Sequence, residues 1–186
     1  EKLKIQNISY FHKDKKILEN VEIDFNKGSL IAVIGPSGVG KTTFFDILSG
    51  FKISKNLKVL KDGVEIFKPK FDQLSYCSQE AFIFSGSLEE NITLFEKKDK
   101  INNQKLDEVY NACFLKKFIN LQDHLFEKGE NLSQGQKQRI NLARSLYQNY
   151  EIIFLDEPLS NVETSLESLI FKNVSSIIKR DNKILL

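Results

Sequence analysis

Residues able to do chemistry are densest in the stretch GPSGVGKTT, Gly35 to Thr43, which directly follows the apolar run from Leu30 to Ile34. Small residues there would let the main-chain N–H groups of residues 37–42 converge on one anion, which Cβ atoms would obstruct. A helix that follows would present its positive end to the same anion. The pattern G-x-x-x-x-G-K-[ST] of a phosphate-binding loop is met by Gly35, Gly40, Lys41 and Thr42. An ordinary strand–helix turn is the alternative interpretation.

The side chains of this loop predict that the anion is a nucleoside triphosphate. Lys41 can reach the β- and γ-phosphates as a point charge, and the Thr42 hydroxyl can ligate Mg²⁺. We therefore predict that the chain binds ATP together with Mg²⁺. The predicted ATP contacts in the loop are Gly35, Ser37, Gly38, Val39, Gly40, Lys41, Thr42 and Thr43.

Two carboxylates, Asp156 and Glu157, end the apolar run Ile152 to Leu155. Burying either one without a partner costs free energy, and a Mg²⁺ bound to ATP would be such a partner for Asp156. Glu157, one residue further on, could then orient or deprotonate a water that attacks the γ-phosphate. A solvated acidic turn after the strand is the alternative interpretation.

Two polar loops complete the set of candidate residues. Gln79 follows a strand and supplies an amide side chain, and the stretch Glu130 to Gln136 opens a helix. Ser133 is a favourable N-cap for that helix, whose positive end is a second anion site. As a bare pattern, a capped surface helix is the more ordinary interpretation of this stretch.

The elements around these residues predict an α/β fold, because a strand, a glycine-rich loop and a helix follow one another. The run 151–155 is fully apolar, which is typical of a strand in the centre of a parallel sheet. Predicted strands are residues 1–12, 21–25, 30–34, several short ones in 58–78, 151–155 and one beginning at 183, with a polar loop at 11–16. Predicted helices lie at 41–48, within 87–120, and at 134–148 and 164–179.

Composition limits the class of protein. The chain has 186 residues, 41% of them hydrophobic, which is enough for one sizeable core with a subdomain. Its 27 basic and 25 acidic residues give a net charge of +2, so charge does not indicate a nucleic-acid partner. The two cysteines lack metal-ligand spacing and favour a reducing compartment. A first residue other than Met indicates a piece of a longer protein.

The phosphate loop, Gln79, Leu132-Ser-Gln-Gly-Gln136 and Phe154-Leu-Asp-Glu-Pro158, in this order and spacing, resemble the nucleotide-binding domain of ATP-binding-cassette (ABC) transporters. The family's signature is L-S-G-G-Q, and here Gln134 replaces the first glycine. A finer likeness is to the first such domain of the multidrug-resistance-associated branch, with a generic bacterial exporter as the alternative. That likeness is carried by 74–79, 83–92, 111–115, 127–133 and 157–163.

The resemblance implies a P-loop NTPase (RecA-like) core with an antiparallel β subdomain and a helical lobe, truncated at its carboxyl end. The core would comprise residues 1–79 and 146–186, and the helical lobe 80–145. Two such domains would hold two ATP molecules head to tail between them. Each phosphate loop would then face the partner domain's signature residues, which in this chain are Ser133, Gly135 and Gln136.

The resemblance also assigns roles to single residues. Glu157, Gln79 and Lys41 would be catalytic, and the metal ligands would be Thr42, Gln79 and Asp156. The loop of Gln79 would sense the transmembrane domains. His12 would stack on adenine, with Tyr10 and Phe11 as neighbouring candidates and a plain loop residue as the alternative. The family's D-loop ends in Asp but here ends in Glu163, and the chain stops just before the family's switch histidine.

The implied function is an ATPase that powers export across a membrane, from the cytoplasmic face of an integral membrane transporter. One alternative is a regulatory domain that binds nucleotide and dimerises but turns over little. Another alternative is a soluble ABC ATPase. For the chain itself, no nucleic-acid partner is expected. We also predict that the excised piece binds ATP poorly and hydrolyses almost none, because half of each composite site lies on a partner.

Overall fold

The structure is a computed structural model that describes residues 2–13, 15–66 and 74–186. Its strands are β1 Lys2–His12, β2 Lys15–Asn26, β3 Lys58–Lys61, β4 Val64–Ile66, β5 Leu74–Cys77, β6 Gly86–Ser87, β7 His124–Leu125, β8 Ile152–Leu155 and β9 Ile184–Leu185. Its α-helices are α1 Lys41–Leu48, α2 Leu88–Thr93, α3 Asn103–Ala112, α4 Gln134–Tyr147 and α5 Thr164–Arg180. Short 3₁₀ turns occupy Leu115–Lys117 and Glu127–Gly129.

These elements form two compact units. The first contains the described residues of Glu1–Leu74, with Tyr150–Phe154 and Ile178–Leu186. The second contains Ser75–Asn149 and Leu155–Ile177. The division into a core of residues 1–79 and 146–186 and a helical lobe of residues 80–145 stays a prediction.

An antiparallel sheet with the order β2-β1-β3-β4 dominates the first unit. Ile5 in the middle of β1 is buried, and it pairs with half-buried Ile23 of β2 on one side and with buried Val59 of β3 on the other. The predicted polar loop at 11–16 is wrong in extent, because Phe11 pairs with Lys16 and His12 with Lys15. Ladder hydrogen bonds join main-chain groups, so exposed polar side chains do not stop the hairpin.

The helix α1 begins and ends as predicted. Its apolar residues Phe44, Phe45, Ile47 and Leu48 are buried. Gly50 has φ 74° and donates its N–H to the Ile47 carbonyl, so it closes the helix as a left-handed glycine should. The rings of Phe45 and Phe154 lie 5.6 Å apart and pack α1 against β8. The predicted apolar strand β8 pairs in parallel with β9.

The apolar run from Leu30 to Ile34 does not form the predicted buried strand. Leu30 makes one isolated parallel bridge to Leu185, and the Ile31 N–H donates to the Leu185 carbonyl at 2.8 Å. The side chain of Ile34 is 91% exposed. The contact of this run with β9 is therefore limited to its first residues, Leu30 and Ile31. A cavity of about 340 Å³ lies between the run and β2.

The second unit is mainly helical. Its helix α4 buries Ile140, Leu142, Ala143 and Leu146. The helix α2 begins with a capping box in which Ser87 and Glu90 bond to each other's main-chain N–H. The region 87–120 contains the two helices α2 and α3, in agreement with the helices predicted there. Among the described residues, no helix combines the length and apolarity needed to cross a membrane.

Candidate functional site

The glycines of the phosphate loop have structural reasons to be glycine. Gly38 and Gly40 have φ values of 77° and 109°, where side chains are disfavoured. A Cβ on Gly40 would lie 3.0 Å from Ile17 Cγ2, and one on Gly35 would lie 2.9 Å from Val39 Cγ1. Gly40 is the N-cap of α1 and provides no side-chain cap. The first N–H groups of α1 are therefore not satisfied by a capping side chain, which suits an anion.

Lys41 bends back over the loop that precedes it. Its ammonium donates to the Gly35 carbonyl at 2.8 Å and to the Pro36 carbonyl at 3.1 Å. Phosphate oxygens would have to replace these carbonyls as partners of the ammonium. The first turn of α1 carries no acidic residue that would compete for the same charge.

The aromatic candidates for adenine lie on β1, in the same unit as the phosphate loop. One face of the Tyr10 ring is covered by the Lys52 ammonium, 5.6 Å from the ring centroid. That ammonium is held by the Asp46 carboxylate at 2.7 Å. Phe11 is 53% exposed and His12 is exposed at the end of the hairpin. The stacking role of His12 stays a prediction.

The two carboxylates differ in burial. Asp156 is 8% exposed and accepts a hydrogen bond from the Tyr76 hydroxyl at 3.2 Å. Its main-chain N–H donates to the Cys77 carbonyl at 2.9 Å, which joins the ends of β5 and β8. Burial argues against a solvated acidic turn at Asp156. Nothing in the sequence indicated that Tyr76 would be its partner.

Glu157 is exposed and pairs with Gln79. The Gln79 amide Nε2 donates to Glu157 Oε2 at 2.9 Å. Glu157 also has φ 49°, in the left-handed region that only a few non-glycine residues occupy. The structure therefore brings together two residues that the sequence placed 78 positions apart and predicted to be catalytic.

The signature stretch begins α4 with a capping box. The Ser133 hydroxyl accepts from the Gln136 N–H at 3.2 Å, and the Gln136 side chain accepts from the Ser133 N–H at 2.8 Å. The predicted N-cap is confirmed, whereas this role for Gln136 was missed. The spacing S-x-x-Q is the signal that would have found it. Gly135 packs against the Asn161 carbonyl, where an added Cβ would lie at only 2.5 Å.

The predicted metal ligands lie in different units. Thr42 belongs to the first unit, whereas Gln79 and Asp156 belong to the second. In the part of the chain that the structure describes, no group of three or more His, Cys, Asp or Glu could hold a metal ion. A hydroxyl, an amide and a carboxylate oxygen suit Mg²⁺, which takes few protein ligands and completes its shell with phosphates and water. The donor set therefore fits a magnesium ion that arrives with a nucleotide.

The family model described as "ABC transporter" matches residues 18–160, which is most of the chain. The chain is 30% identical over 186 residues to a probable ABC transporter ATP-binding/permease protein of Haemophilus influenzae, covering 95% of this chain and 33% of the relative. It is 35% identical over 180 residues to ABC transporter C family member 8 of Dictyostelium discoideum, covering 94% of this chain and 10% of the relative. The chain thus spans a third or less of these relatives.

A solved structure of an ABC exporter has the same fold as this chain. A bacterial Atm1-family ABC exporter with ATP bound superposes with a TM-score of 0.84 and 25% identity, covering 99% of this chain and 34% of the exporter chain. The predicted α/β fold of the P-loop NTPase type is confirmed. Because the family model covers the phosphate loop, Gln79, the signature stretch and both carboxylates, the chain belongs to the ABC transporter family as a nucleotide-binding domain.

Proposed function

We propose that this domain binds ATP with Mg²⁺ and hydrolyses it, and that two such domains closing on ATP power export across a membrane. The observation that carries the proposal is the Gln79–Glu157 hydrogen bond beside the buried Asp156. Such a pair of an amide and a carboxylate is suited to hold and deprotonate one water. The phosphate loop supplies the matching anion site.

Different residues of the chain would bind the phosphates, hold Mg²⁺ and accept the proton. Lys41 and the amides of the loop hold the phosphates, and Lys41 leaves the carbonyls of Gly35 and Pro36 to do so. The residues proposed to hold Mg²⁺ are Asp156, Gln79 and Thr42, and the ion's charge would neutralise charge that develops on the transferred phosphoryl group. Glu157 accepts the proton of the attacking water, and Gln79 orients that water.

The partner domain would be contacted by the N-terminal end of α4. Ser133 and Gln136 keep this end fixed by their mutual hydrogen bonds. Gly135 lets this end pack closely against the Asn161 carbonyl, where an added Cβ would lie at 2.5 Å. We infer that Ser133, Gly135 and Gln136 contact the ATP held by the phosphate loop of the opposing domain.

The transmembrane domains would dock on an aromatic patch formed by Phe82, Phe84 and Phe95. These side chains are 50%, 37% and 48% exposed. The ring of Phe84 lies 4.8 Å from that of Phe82 and 5.9 Å from that of Phe95. Exposed apolar clusters of this kind mark interaction surfaces. The patch starts three residues after Gln79, so a docked domain would act on the loop of Gln79, on the cytoplasmic face of the membrane.

The regulatory alternative is favoured by Gln134, which stands where the family has a glycine. It is disfavoured by Glu157, because a domain with little turnover needs no base. The human ATP-binding cassette sub-family C member 4 and a multidrug resistance-like ATP-binding protein of Buchnera aphidicola match at similar identity, 32% and 34%. Membership in the multidrug-resistance-associated branch therefore rests on the stretches given above, and we propose it on them.

The test compares two variants of the intact transporter that contains this chain. Glu157→Gln should lower steady-state hydrolysis by about 100-fold or more and leave ATP binding intact. Lys41→Ala should weaken ATP binding at least about tenfold, because a charge-assisted contact to phosphate is lost. Glu151→Gln, an exposed change just before β8, is the matched control and should leave both unchanged. Unaltered hydrolysis in Glu157→Gln would contradict the assigned base.

A wild-type transporter that binds ATP but shows little turnover at this domain would favour the regulatory alternative. ATP binding is measured by calorimetry and hydrolysis by phosphate release. ATP affinity that survives Lys41→Ala would remove the basis of the proposal.

A further inference from the structure

A buried amide joins the helix α4 to the chain just after the two carboxylates. Gln138 is 3% exposed, and its Nε2 donates to Ser160 Oγ at 2.9 Å. Its Oε1 accepts from the Asn161 main-chain N–H, also at 2.9 Å. Both polar functions of this side chain are thus used on two consecutive residues. A glutamine with this burial is expensive unless both functions are paired.

A second contact from the same helix face supports this connection. Gly135 lies three residues before Gln138, so the two share one side of α4. An added Cβ at Gly135 would lie 2.5 Å from the Asn161 carbonyl oxygen and 3.3 Å from its carbon. Asn161 therefore meets α4 twice: its N–H is bonded by Gln138, and its carbonyl lies close to Gly135.

The segment held in this way leads back to the candidate base. The Ser160 N–H points to the Glu157 carbonyl at 3.4 Å, and the Val162 N–H donates to the Leu159 carbonyl at 2.9 Å. Residues 157–162 are thus a compact turn between Glu157 and the start of α5. A shift of the first turns of α4 would move this turn and, with it, the main chain of Glu157.

We propose that Gln138 is a positioning residue that couples the signature end of α4 to the base Glu157. The inference rests on the proposed function, in which that end of α4 contacts the γ-phosphate held by a second domain. Binding of that phosphate fixes α4, Gln138 fixes the turn 157–162, and Glu157 is held for its own site. Both polar functions of the buried Gln138 are used on Ser160 and Asn161, so it acts on the rate through Glu157 and not on ATP affinity at the phosphate loop.

The experiment uses Gln138→Leu in the intact transporter, which keeps the volume and removes both hydrogen bonds. We expect kcat for ATP hydrolysis to fall about tenfold, the equivalent of losing two such bonds at one step. ATP affinity, measured by calorimetry, should stay within about twofold of the wild type. Gln122→Leu is the matched control, since Gln122 bonds Glu89 at the surface, and should change neither quantity.

A second variant, Ser160→Ala, removes one of the two bonds from an exposed position and guards against failure of Gln138→Leu to fold. It should lower kcat by a smaller factor, and the double variant should be no slower than Gln138→Leu alone. An unchanged kcat in both single variants, or a loss of ATP affinity as large as the loss of kcat, would overturn the inference. Absence of hydrolysis in the wild type would instead overturn the proposed function.

Discussion

The Gln79 amide and the Glu157 carboxylate are joined by a hydrogen bond of 2.9 Å, and Glu157 holds this bond from a left-handed backbone conformation with φ 49°. That conformation costs a residue with a Cβ about 1–2 kcal/mol. Strain of this kind persists where neighbouring structure imposes it. Here the preceding residue, Asp156, is fixed by the Cys77 carbonyl, and the following turn is fixed by α4.

The strain predicts that glycine is more stabilising than alanine at position 157, the reverse of their usual order in a helix. Both Glu157→Ala and Glu157→Gly lose the bond to Gln79, but only glycine relieves the backbone. Glu157→Gly should therefore be more stable than Glu157→Ala by about 1 kcal/mol, measured by thermal unfolding. At the matched position Glu167 in α5, alanine should be the more stable by about 1 kcal/mol, as in any helix. The same order at both positions would show that Glu157 is unstrained.

A second prediction concerns Gly135. Gly135→Ala places a Cβ 2.5 Å from the Asn161 carbonyl, and main chain yields less readily than a side chain. We expect a loss of about 1–3 kcal/mol in the free energy of unfolding, as for overpacking in a core. Gln134→Ala, at the exposed neighbouring position, should cost nothing measurable because alanine favours a helix. An equally stable Gly135→Ala would mean that α4 and Asn161 are loosely packed.

Local patterns predicted the elements of the site well. The helix α1 at 41–48, the Ser133 cap and the parallel strand β8 all follow from short-range rules of spacing and capping. The apolar run at 30–34 failed for a reason that no local pattern contains. Its bridge is to Leu185, about 150 residues further along the chain, and a local pattern does not show which partner a run finds.

The side-chain partners of the predicted catalytic residues could not be predicted from the sequence. The predicted role of Glu157 came from its place after an apolar strand and that of Gln79 from a resemblance, but their direct contact is a tertiary fact. Tyr76 and Gln138 belong to ordinary strand and helix patterns, and only packing shows that one serves Asp156 and the other Asn161. Side chains that act through other side chains carry no spacing signal of their own.

A third prediction concerns the two cysteines, Cys77 and Cys113, which are both fully buried. Burial raises the pKa of the Cys77 thiol to about 12, and it raises the pKa of Cys113 as well. Because the thiolate is the reactive form, both should resist alkylation at neutral pH in the folded protein. Mass spectrometry should find them modified rapidly only after denaturation. Fast modification of Cys77 in the native protein would indicate local opening next to Gln79.

The last prediction concerns Arg144, which lies buried between α4 and the aromatic patch. Its guanidinium donates to the carbonyls of Asn91 and Phe82 at 2.8 and 2.9 Å and lies 5.2 Å from the centre of the Phe84 ring. Burial lowers the pKa of this guanidinium to about 10, so it is charged at neutral pH in both the folded and the unfolded chain. Its contribution to stability should therefore not change between about pH 6 and 8.

Arg144→Lys keeps the charge but cannot reach both carbonyls with a planar fork, and it loses the stacking on Phe84. We expect the free energy of unfolding to fall by about 2–3 kcal/mol, the cost of leaving buried carbonyls unpaired. Arg180→Lys, at an exposed end of α5 beside Asp181, is the matched control and should change stability by less than about 0.5 kcal/mol. Because Arg144 supports the main chain that presents Phe82, the same variant should weaken docking of the transmembrane domains. A variant as stable and as well docked as the wild type would show that the aromatic patch is held by other contacts.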